Sequence, residues 1–399
     1  MLDFLTFALI LFFPAQLGYH FWPQGAYIWG IRVDFLSPVF YLTDILVLGI
    51  LIAYVVPKIK ECKLALAAVL AASLFLIFNI CSSSRPLIAL YRWSKILEMG
   101  FLIYYFAREF KKDWLIPLAL ANFYTCLIAW GQFFKKASLG GGLWWLGERN
   151  FSLVTPGIAK IQLGSHFFLR PYATFSHSNS LAGFLLVSCL LLLLAKGKLG
   201  KNLRVFFNVV AIISLLTMLL TFSWSAYLAI LFLLIFVFWK KWGIRGVAIG
   251  ILLLIGIVLQ SIKVGLLEER SIMERVFLIQ NALQLIKAHP SFGVGLGNFI
   301  PAQLELSFPR GQYNFLQPVH NIYLLVASET GLVGLGIFLY SLFYLFKKSH
   351  PISIISYPLF IILFLGLFDH YWLTLQQNML LLALVVGMSC HSELASPSS

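Results

Sequence analysis

The sequence predicts an all-α integral membrane protein with about twelve transmembrane helices, and three observations predict it. Of 399 residues, 60% are hydrophobic and 11% charged, whereas soluble chains are roughly a quarter charged. Long apolar runs recur at short intervals: Leu64–Ile80, Leu181–Ala195, Val205–Phe222, Val247–Leu259 and Ile352–Phe368. Each approaches the roughly 20 residues that cross a hydrocarbon core. Alternate short loops between the runs are basic, which orients helices in a bilayer.

Taken in order, spans are expected at 4–22, 39–56, 64–81, 87–107, 114–134, 181–195, 205–222, 225–239, 246–262, 321–346, 352–368 and 373–390. The start, Met1–Phe13, is apolar but carries Asp3, no basic leader and no small-residue cleavage site. It reads as a membrane helix rather than a cleaved signal. The span at 87–107 carries Arg92, Lys95 and Glu98 at i, i+3 spacing on one face. That face must point into protein or a wet cavity. The loops Pro57–Lys63, Arg108–Asp113, Lys196–Arg204, Lys240–Arg245 and Lys347–His350 hold 15 of the 29 Lys and Arg. The positive-inside rule makes them cytoplasmic, and an even span count puts both termini inside.

This divides the chain into a five-helix membrane region (1–134), an outer loop (135–180), a central four-helix region (181–262), a large outer loop (263–320), a three-helix region (321–390) and a cytoplasmic tail (391–399). The net charge of +14 would point to nucleic acid in a soluble protein; here much of it orients helices, and no nucleic-acid partner is expected. Cys62, Cys81, Cys126, Cys189 and Cys390 are scattered, without C-x-x-C or a set within one loop, so neither a disulfide framework nor a zinc site is expected. There is no defensible repeat and no low-complexity tract.

Outer loops this long are uncommon unless functional or disordered. The first holds Trp144, Trp145, Phe167 and Phe168. The second contains Ser271-Ile-Met-Glu274, a capping-box pattern. It opens an expected helix to about Ala288, with Leu278, Leu285 and Ile286 near helical spacing, suited to the membrane interface. His289-Pro290 ends it.

Three motifs could carry chemistry. In Arg170–Phe184, RPYATFSHSNSLAGF, the guanidinium of Arg170 suits phosphate oxygens. His177, Ser178 and Asn179 stand at a helix entrance; the same residues also fit an interfacial arginine anchor and a helix cap. In His289–Phe299, HPSFGVGLGNF, three glycines invite a nucleotide reading, but no strand precedes them and the G-x-G-x-x-G spacing is missing. A tight turn back to the membrane fits better. In Gln317–Gly334, His320 and Asn321 stand at the outer end of a span and Glu329 lies about 13 Å deeper along the helix. Glu329 fits a functional carboxylate or a hydrogen bond between helices. Arg32, Arg85, Arg149, Arg270, Arg275 and Arg310 add positive charge to the outer face, against the orientation signal, which implies an anionic ligand there. Acids on that face (Asp34, Glu148, Glu268, Glu269, Glu274, Glu305 and Asp369) show no D-x-D, so no divalent metal is expected.

The combination R-x-x-x-T-F-x-x-x-N, then R…P-x-x-G-V-G-x-G-N-F, then H-N-x-Y-L…E-T-G-L-x-G resembles the O-antigen ligase and O-antigen polymerase superfamily. The matching positions are Arg170, Thr174, Phe175 and Asn179; Arg275, Pro290, Gly293, Gly295, Gly297, Asn298 and Phe299; and His320, Asn321, Tyr323, Leu324, Glu329, Thr330, Gly331 and Gly334. The well-matched core covers about 170–340. One departure stands out: the family usually has T-x-S-R at the outer end of a middle span, and here Trp224 stands where that arginine is expected.

The resemblance implies a GT-C-like, metal-independent inverting glycosyltransferase of the plasma (inner) membrane without a cofactor, working on its periplasmic or extracellular side. Its donor would be a glycan on polyprenyl (undecaprenyl) pyrophosphate and its acceptor a lipid-linked core sugar, as in lipopolysaccharide biosynthesis. A pyrophosphate leaving group needs cations rather than a proton; Arg170 and Arg275 fit that role, with Arg310 third. Histidine, with an unperturbed pKa of about 6.5, suits His320 to deprotonate the acceptor hydroxyl. Asn179, Asn298, Asn321 and Glu329 are expected to support the site. Alternatives are an O-antigen or exopolysaccharide polymerase, a protein O-oligosaccharyltransferase, a peptidoglycan polymerase and, from another class, a lipid-linked glycan flippase or transporter. A transporter is expected to place its polar groups near midplane, whereas these crowd one end.

Overall fold

The computed structural model describes residues 1–57, 66–194, 200–243, 269–306, 315–348 and 356–391. The span expected at 246–262, Arg310, Glu268, the tail from 392 and much of the basic-loop set lie outside the described residues. The first part of the chain forms α1 (Leu2–Leu11), α2 (Leu42–Val55), α3 (Leu66–Cys81), α4 (Pro86–Glu109) and α5 (Leu115–Lys135). Then come α6 (Ser178–Leu194), α7 (Lys201–Leu220), α8 (Trp224–Trp242) and α9 (Glu269–Ala288). The chain continues through α10 (Phe299–Gln303), α11 (Ile322–Lys348), α12 (Ser356–Leu365), α13 (Tyr371–Thr374) and α14 (Gln376–Cys390).

Three described helical segments are long and apolar enough to cross a membrane: Lys112–Lys135, Lys201–Leu220 and Ile322–Lys347. The shorter apolar helices include α1, α2, α6 and α14. α4 packs along α14, and α7 lies against α5 and α6, around a core that includes Leu9, Phe106, Phe184 and Leu380. Away from that core, Ile45, Leu48 and Ile52 of α2, Leu74 and Ile77 of α3 and Ile337, Tyr340 and Phe343 of α11 are exposed. Apolar faces of that extent belong in lipid. Between helices, Asn122 Nδ2 donates to Ser188 Oγ (2.8 Å) and Trp130 Nε1 to Thr217 Oγ1 (2.8 Å), the polar pairing that bundles in lipid use.

The two ends of the bundle differ. At one, Lys111 pairs with Asp3 (2.6 Å) and His391 Nδ1 meets the Ala107 carbonyl (3.0 Å), so the N-terminus, the Arg108–Asp113 loop and the end of α14 lie together. The other carries a cap of short hairpins. β1 (Gly18–His20) pairs antiparallel with β4 (Val39–Tyr41), enclosing β2 (Tyr27–Ile28) against β3 (Ile31–Arg32); β5 (Lys160–Leu163) pairs with β6 (His166–Leu169). A second hydrophobic cluster joins this cap to α9 through Ile28, Leu36, Leu278, Leu285, Phe299 and Ile300. The opposite face of α9 leaves Met273, Val276 and Leu283 exposed.

Three expectations need correction. The span at 4–22 is only α1: the helix ends at Leu11, because Pro14 has no N–H to offer Ile10 and its ring clashes with that turn. Residues 18–41 become hairpins instead, so the chain is mostly but not wholly α. The capping-box pattern at Ser271–Glu274 falls inside α9, which already includes Glu269.

The glycine motif and the E-T-G-L-x-G motif prove to be one interlocked feature. α11 breaks at Gly331 (φ 69°, ψ −176°). There Val294 N–H donates to the Ser328 carbonyl (2.9 Å), Gly295 N–H to that of Glu329 (3.0 Å), and Leu332 N–H to that of Pro290 (2.7 Å). The turn thus takes up helix hydrogen bonds that the break frees. Gly295 has φ +94°, and a Cβ there would lie 2.2 Å from Ser83 Cβ, so no larger residue fits. Asn79 of α3 clamps the junction, donating to the Phe292 and Glu329 carbonyls (both 3.0 Å) and accepting from Leu296 N–H (3.0 Å).

Candidate active site

The spacing in R-x-x-x-T-F-x-x-x-N has a local cause. Arg170 leaves β6 and returns on Asn179, nine residues later: Nη2 donates to Asn179 Oδ1 (2.7 Å) and Nε to the Thr221 carbonyl (2.7 Å). Between them Thr174 Oγ1 donates to the Pro14 carbonyl (2.5 Å) and Phe175 is buried. Ser178 Oγ closes the loop on the Arg170 carbonyl (3.1 Å). The cap of α6 comes from His177, whose Nδ1 accepts Asn179 N–H (3.1 Å). Arg170 is therefore built into the end of the bundle rather than lying along a surface.

Asn179 Nδ2 donates in turn to Asp369 Oδ2 (3.3 Å), and Asp369 Oδ1 lies 3.3 Å from His320 Nδ1. From α9, Arg275 Nη1 donates to the neighbouring Phe368 carbonyl (2.6 Å). His370 N–H donates to Asp369 Oδ1 (2.9 Å), and its ring stands 5.1 Å from that of His320. So Arg170, Asn179, Arg275 and His320 converge on one carboxylate. Burial alone would raise the pKa of Asp369, but His320, His370 and Arg275 together hold it well below the usual carboxylate range. An ionised Asp369 can only accept. It therefore keeps a proton on His320 Nδ1 and leaves the Nε2 lone pair free to take another. Burial holds His370 down to about 3, against the opposing pull of Asp369, so it stays neutral.

Neither Arg170 nor Arg275 lies within ion-pair distance of a described carboxylate. On the other side of Asp369 and His320, a cavity of about 360 Å³ is lined by His320, His370, Asp34, Arg92 and Arg149 among others. His320 thus lines the cavity, while Arg170, between β6 and α6, and Arg275 of α9 flank the pair. The ligand atoms of His320, Asp369 and His370 lie within 4.8 Å of one another, a set that could hold a metal ion. The two guanidinium groups beside it oppose a divalent cation electrostatically, whereas they favour an anion.

Asn298, Asn321 and Glu329, expected to support the site, and the outer-loop acid Glu148 each accept hydrogen bonds from backbone N–H groups. Asn298 Oδ1 accepts Arg85 N–H (2.9 Å), fixing the start of α4. Asn321 Oδ1 accepts the N–H groups of Tyr323 and Leu324 (3.0 and 2.9 Å), which makes it the cap of α11 and leaves His320 free of that duty. Glu329 Oε1 accepts Phe299 N–H (3.3 Å), tying α11 to α10. Glu148 is spent on Gln132 Nε2 and the N–H groups of Leu139 and Gly140 (2.7 Å each). Trp224 begins α8 just past the carbonyl that holds Arg170, and its buried Nε1 has no hydrogen-bond partner among the described residues.

The sequence reading singled out neither His370 nor the pairing of Asp369 with His320. An acid followed directly by a histidine at the end of an apolar run was the available signal; the separation of 49 positions between the partners hid it.

The O-antigen ligase family model matches residues 209–339, about a third of the chain. Over that segment the chain is similar to the O-antigen ligase family. That segment contributes Arg275, His320 and the interlocked break in α11, while Arg170 and Asn179 precede it and Asp369 follows it. No curated protein matches the chain.

Proposed function

We propose that this chain is an O-antigen ligase-like inverting glycosyltransferase that moves a glycan from a polyprenyl pyrophosphate carrier to a lipid-linked sugar. The observation that carries the proposal is the His320–Asp369 pair at 3.3 Å, flanked by two arginines with no ion-pair partner among the described carboxylates and set partly within the segment that matches the O-antigen ligase family. His320 Nε2 takes the proton of the acceptor hydroxyl, and the oxygen attacks the anomeric carbon. The bond from that carbon to the pyrophosphate oxygen breaks and its electron pair leaves with the pyrophosphate. Arg170 and Arg275 offset the charge that develops there, so no proton and no metal is required. Asp369 stabilises the imidazolium formed at His320.

This reading places a GT-C-like bundle of about twelve spans in the plasma membrane with both termini cytoplasmic. In support, the N-terminus, the basic loop Arg108–Asp113 and the end of α14 lie together, and the candidate site lies at the opposite end. Trp224, whose indole has no hydrogen-bond partner among the described residues, carries no charge, which leaves the leaving-group charge to Arg170, Arg275 and Arg310. A polymerase would use the same donor and pass the glycan to a second carrier-bound unit. Deleting the gene and analysing the lipid carrier separates the two: stranded long polymers indicate a lost ligase, stranded single repeat units a lost polymerase. Incubating purified protein with labelled lipid-linked glycan tests the enzyme class, because movement of glycan across vesicles without glycosyl transfer indicates a flippase instead.

A further inference from the structure

A second cavity of about 560 Å³ runs down the bundle between α3, α4 and α11. Its lining is mostly apolar, with Arg92, Lys95, Glu329, Thr330, Ser341 and Thr374 as its polar members, and it passes from Leu325 to Ser341 along α11, roughly 24 Å of helix. Phe35, Arg92, Lys95, Thr374 and Met379 line both this groove and the polar cavity beside His320, so the two adjoin. The cations at the junction differ. Lys95 is matched by Asp44 (2.5 Å) and Glu98 (3.2 Å). Arg92 donates only to the carbonyls of Phe35 (2.9 Å) and Thr374 (3.3 Å), and no described carboxylate lies within ion-pair distance of it. It sits roughly 9 Å along α4 from Pro86, within two turns of the end that carries the cap. Glu329 lines the same groove and acts on Arg92 only beyond ion-pair distance, so the guanidinium keeps donors for a visiting anion. Through Thr374, whose Oγ1 lies 2.7 Å from His370 Nδ1, Arg92 is one side chain removed from the catalytic cluster.

We infer that Arg92 and this groove hold the acceptor: a membrane lipid with a phosphate at its headgroup, its chain in the groove and its glycan reaching His320 through the polar cavity. The inference rests on the glycosyltransferase reading. An inverting displacement brings acceptor and leaving group to opposite faces of the anomeric carbon. Neither Arg170, between β6 and α6, nor Arg275 of α9 lines the polar cavity, whereas Arg92 does. The donor's pyrophosphate and the acceptor's phosphate then have separate cations, with His320 between them.

The test is photolabelling of the full chain in phosphatidylcholine nanodiscs with a diazirine-tailed phosphatidic acid, mapped by mass spectrometry. Label is expected on groove residues such as Leu76, Ile96 and Leu325. It should fall about tenfold in Arg92→Gln, as for loss of a charge-assisted contact, and should resist competition by undecaprenyl pyrophosphate. Val326→Trp, which fills the groove and keeps the charge, should also lose label; unfolding curves show whether each variant is folded. Equal labelling by a diazirine-tailed diacylglycerol, or an unchanged signal in folded Arg92→Gln, would mean adventitious lipid and overturn the inference. Displacement by undecaprenyl pyrophosphate would overturn it by giving the groove to the donor. Labelling needs no glycosyl transfer, so intact labelling in a protein that transfers nothing would reject the enzyme reading and leave the lipid site standing.

Discussion

The substitution Asp369→Asn removes one charge and keeps the shape of the site. His370 N–H donates to Asp369 Oδ1 at 2.9 Å, and the carbonyl oxygen of the amide can still accept it, so folding is retained. At 3.3 Å, unit charges in an effective dielectric of about 20 attract by about 5 kcal/mol. The imidazolium spreads its charge over the ring and Arg275 competes for the same carboxylate. The share left to His320 is about 2 kcal/mol. Losing the carboxylate withdraws that stabilisation from the imidazolium formed during transfer, which alone slows kcat by about 30-fold. The amide can also accept or donate and no longer dictates which nitrogen carries the proton, so kcat should fall by about 10²-fold or more. The assay is transfer of labelled glycan from its polyprenyl carrier. A variant with unchanged kcat would refute the pairing as a catalytic device.

Four further outcomes follow from the same geometry. Glu329→Gln should be tolerated, whereas Glu329→Ala leaves Phe299 N–H buried without a partner and should lower unfolding stability by about 1–3 kcal/mol, with activity per folded molecule little changed. Gly331→Ala should be worse, by about 3 kcal/mol or more, since its Cβ would stand 2.2 Å from the Ser291 carbonyl oxygen at φ +69°; thermal unfolding in detergent reads both. His370 has a folded pKa of about 3 against an ordinary value of 6.5, so the unfolded chain takes the proton first. Stability should therefore fall as pH drops below about 6.5, and His370→Asn should flatten that fall between about pH 6.5 and 3. Chelation by EDTA should leave the transfer rate unchanged; a loss restored by added Mg²⁺ or Mn²⁺ would hand the His320, Asp369 and His370 cluster to a metal.

Helix positions were legible because lipid imposes long apolar runs, and α5, α7 and α11 could be read from them directly. The hairpins at 18–41 were not, because aromatic residues such as Tyr19, Phe21 and Trp22 extend the apolar pattern past Pro14 as if the span continued. The break in α11 was hidden for another reason. Gly331 is an ordinary small residue of a membrane helix until the turn from Gly293 to Gly297 is seen to dock against it. Arg170 and His320 stood out because they are polar groups at the entrances of spans, and Arg275 because positive charge on the outer face opposes the orientation signal. Asp369 did not, since its meaning lies in a partner 49 residues away. The one-face pattern of Arg92 and Lys95 did predict a polar interior, and both line the cavities there.

The central claim is that His320 serves as the base for glycosyl transfer while the arginines hold the leaving group. It is tested most directly by comparing wild type with His320→Ala in one reaction, measuring both transfer of the labelled glycan and binding of its polyprenyl pyrophosphate donor. The account predicts that the variant binds donor as wild type does and transfers about 10²-fold more slowly or less. Full transfer by a folded His320→Ala protein would contradict it.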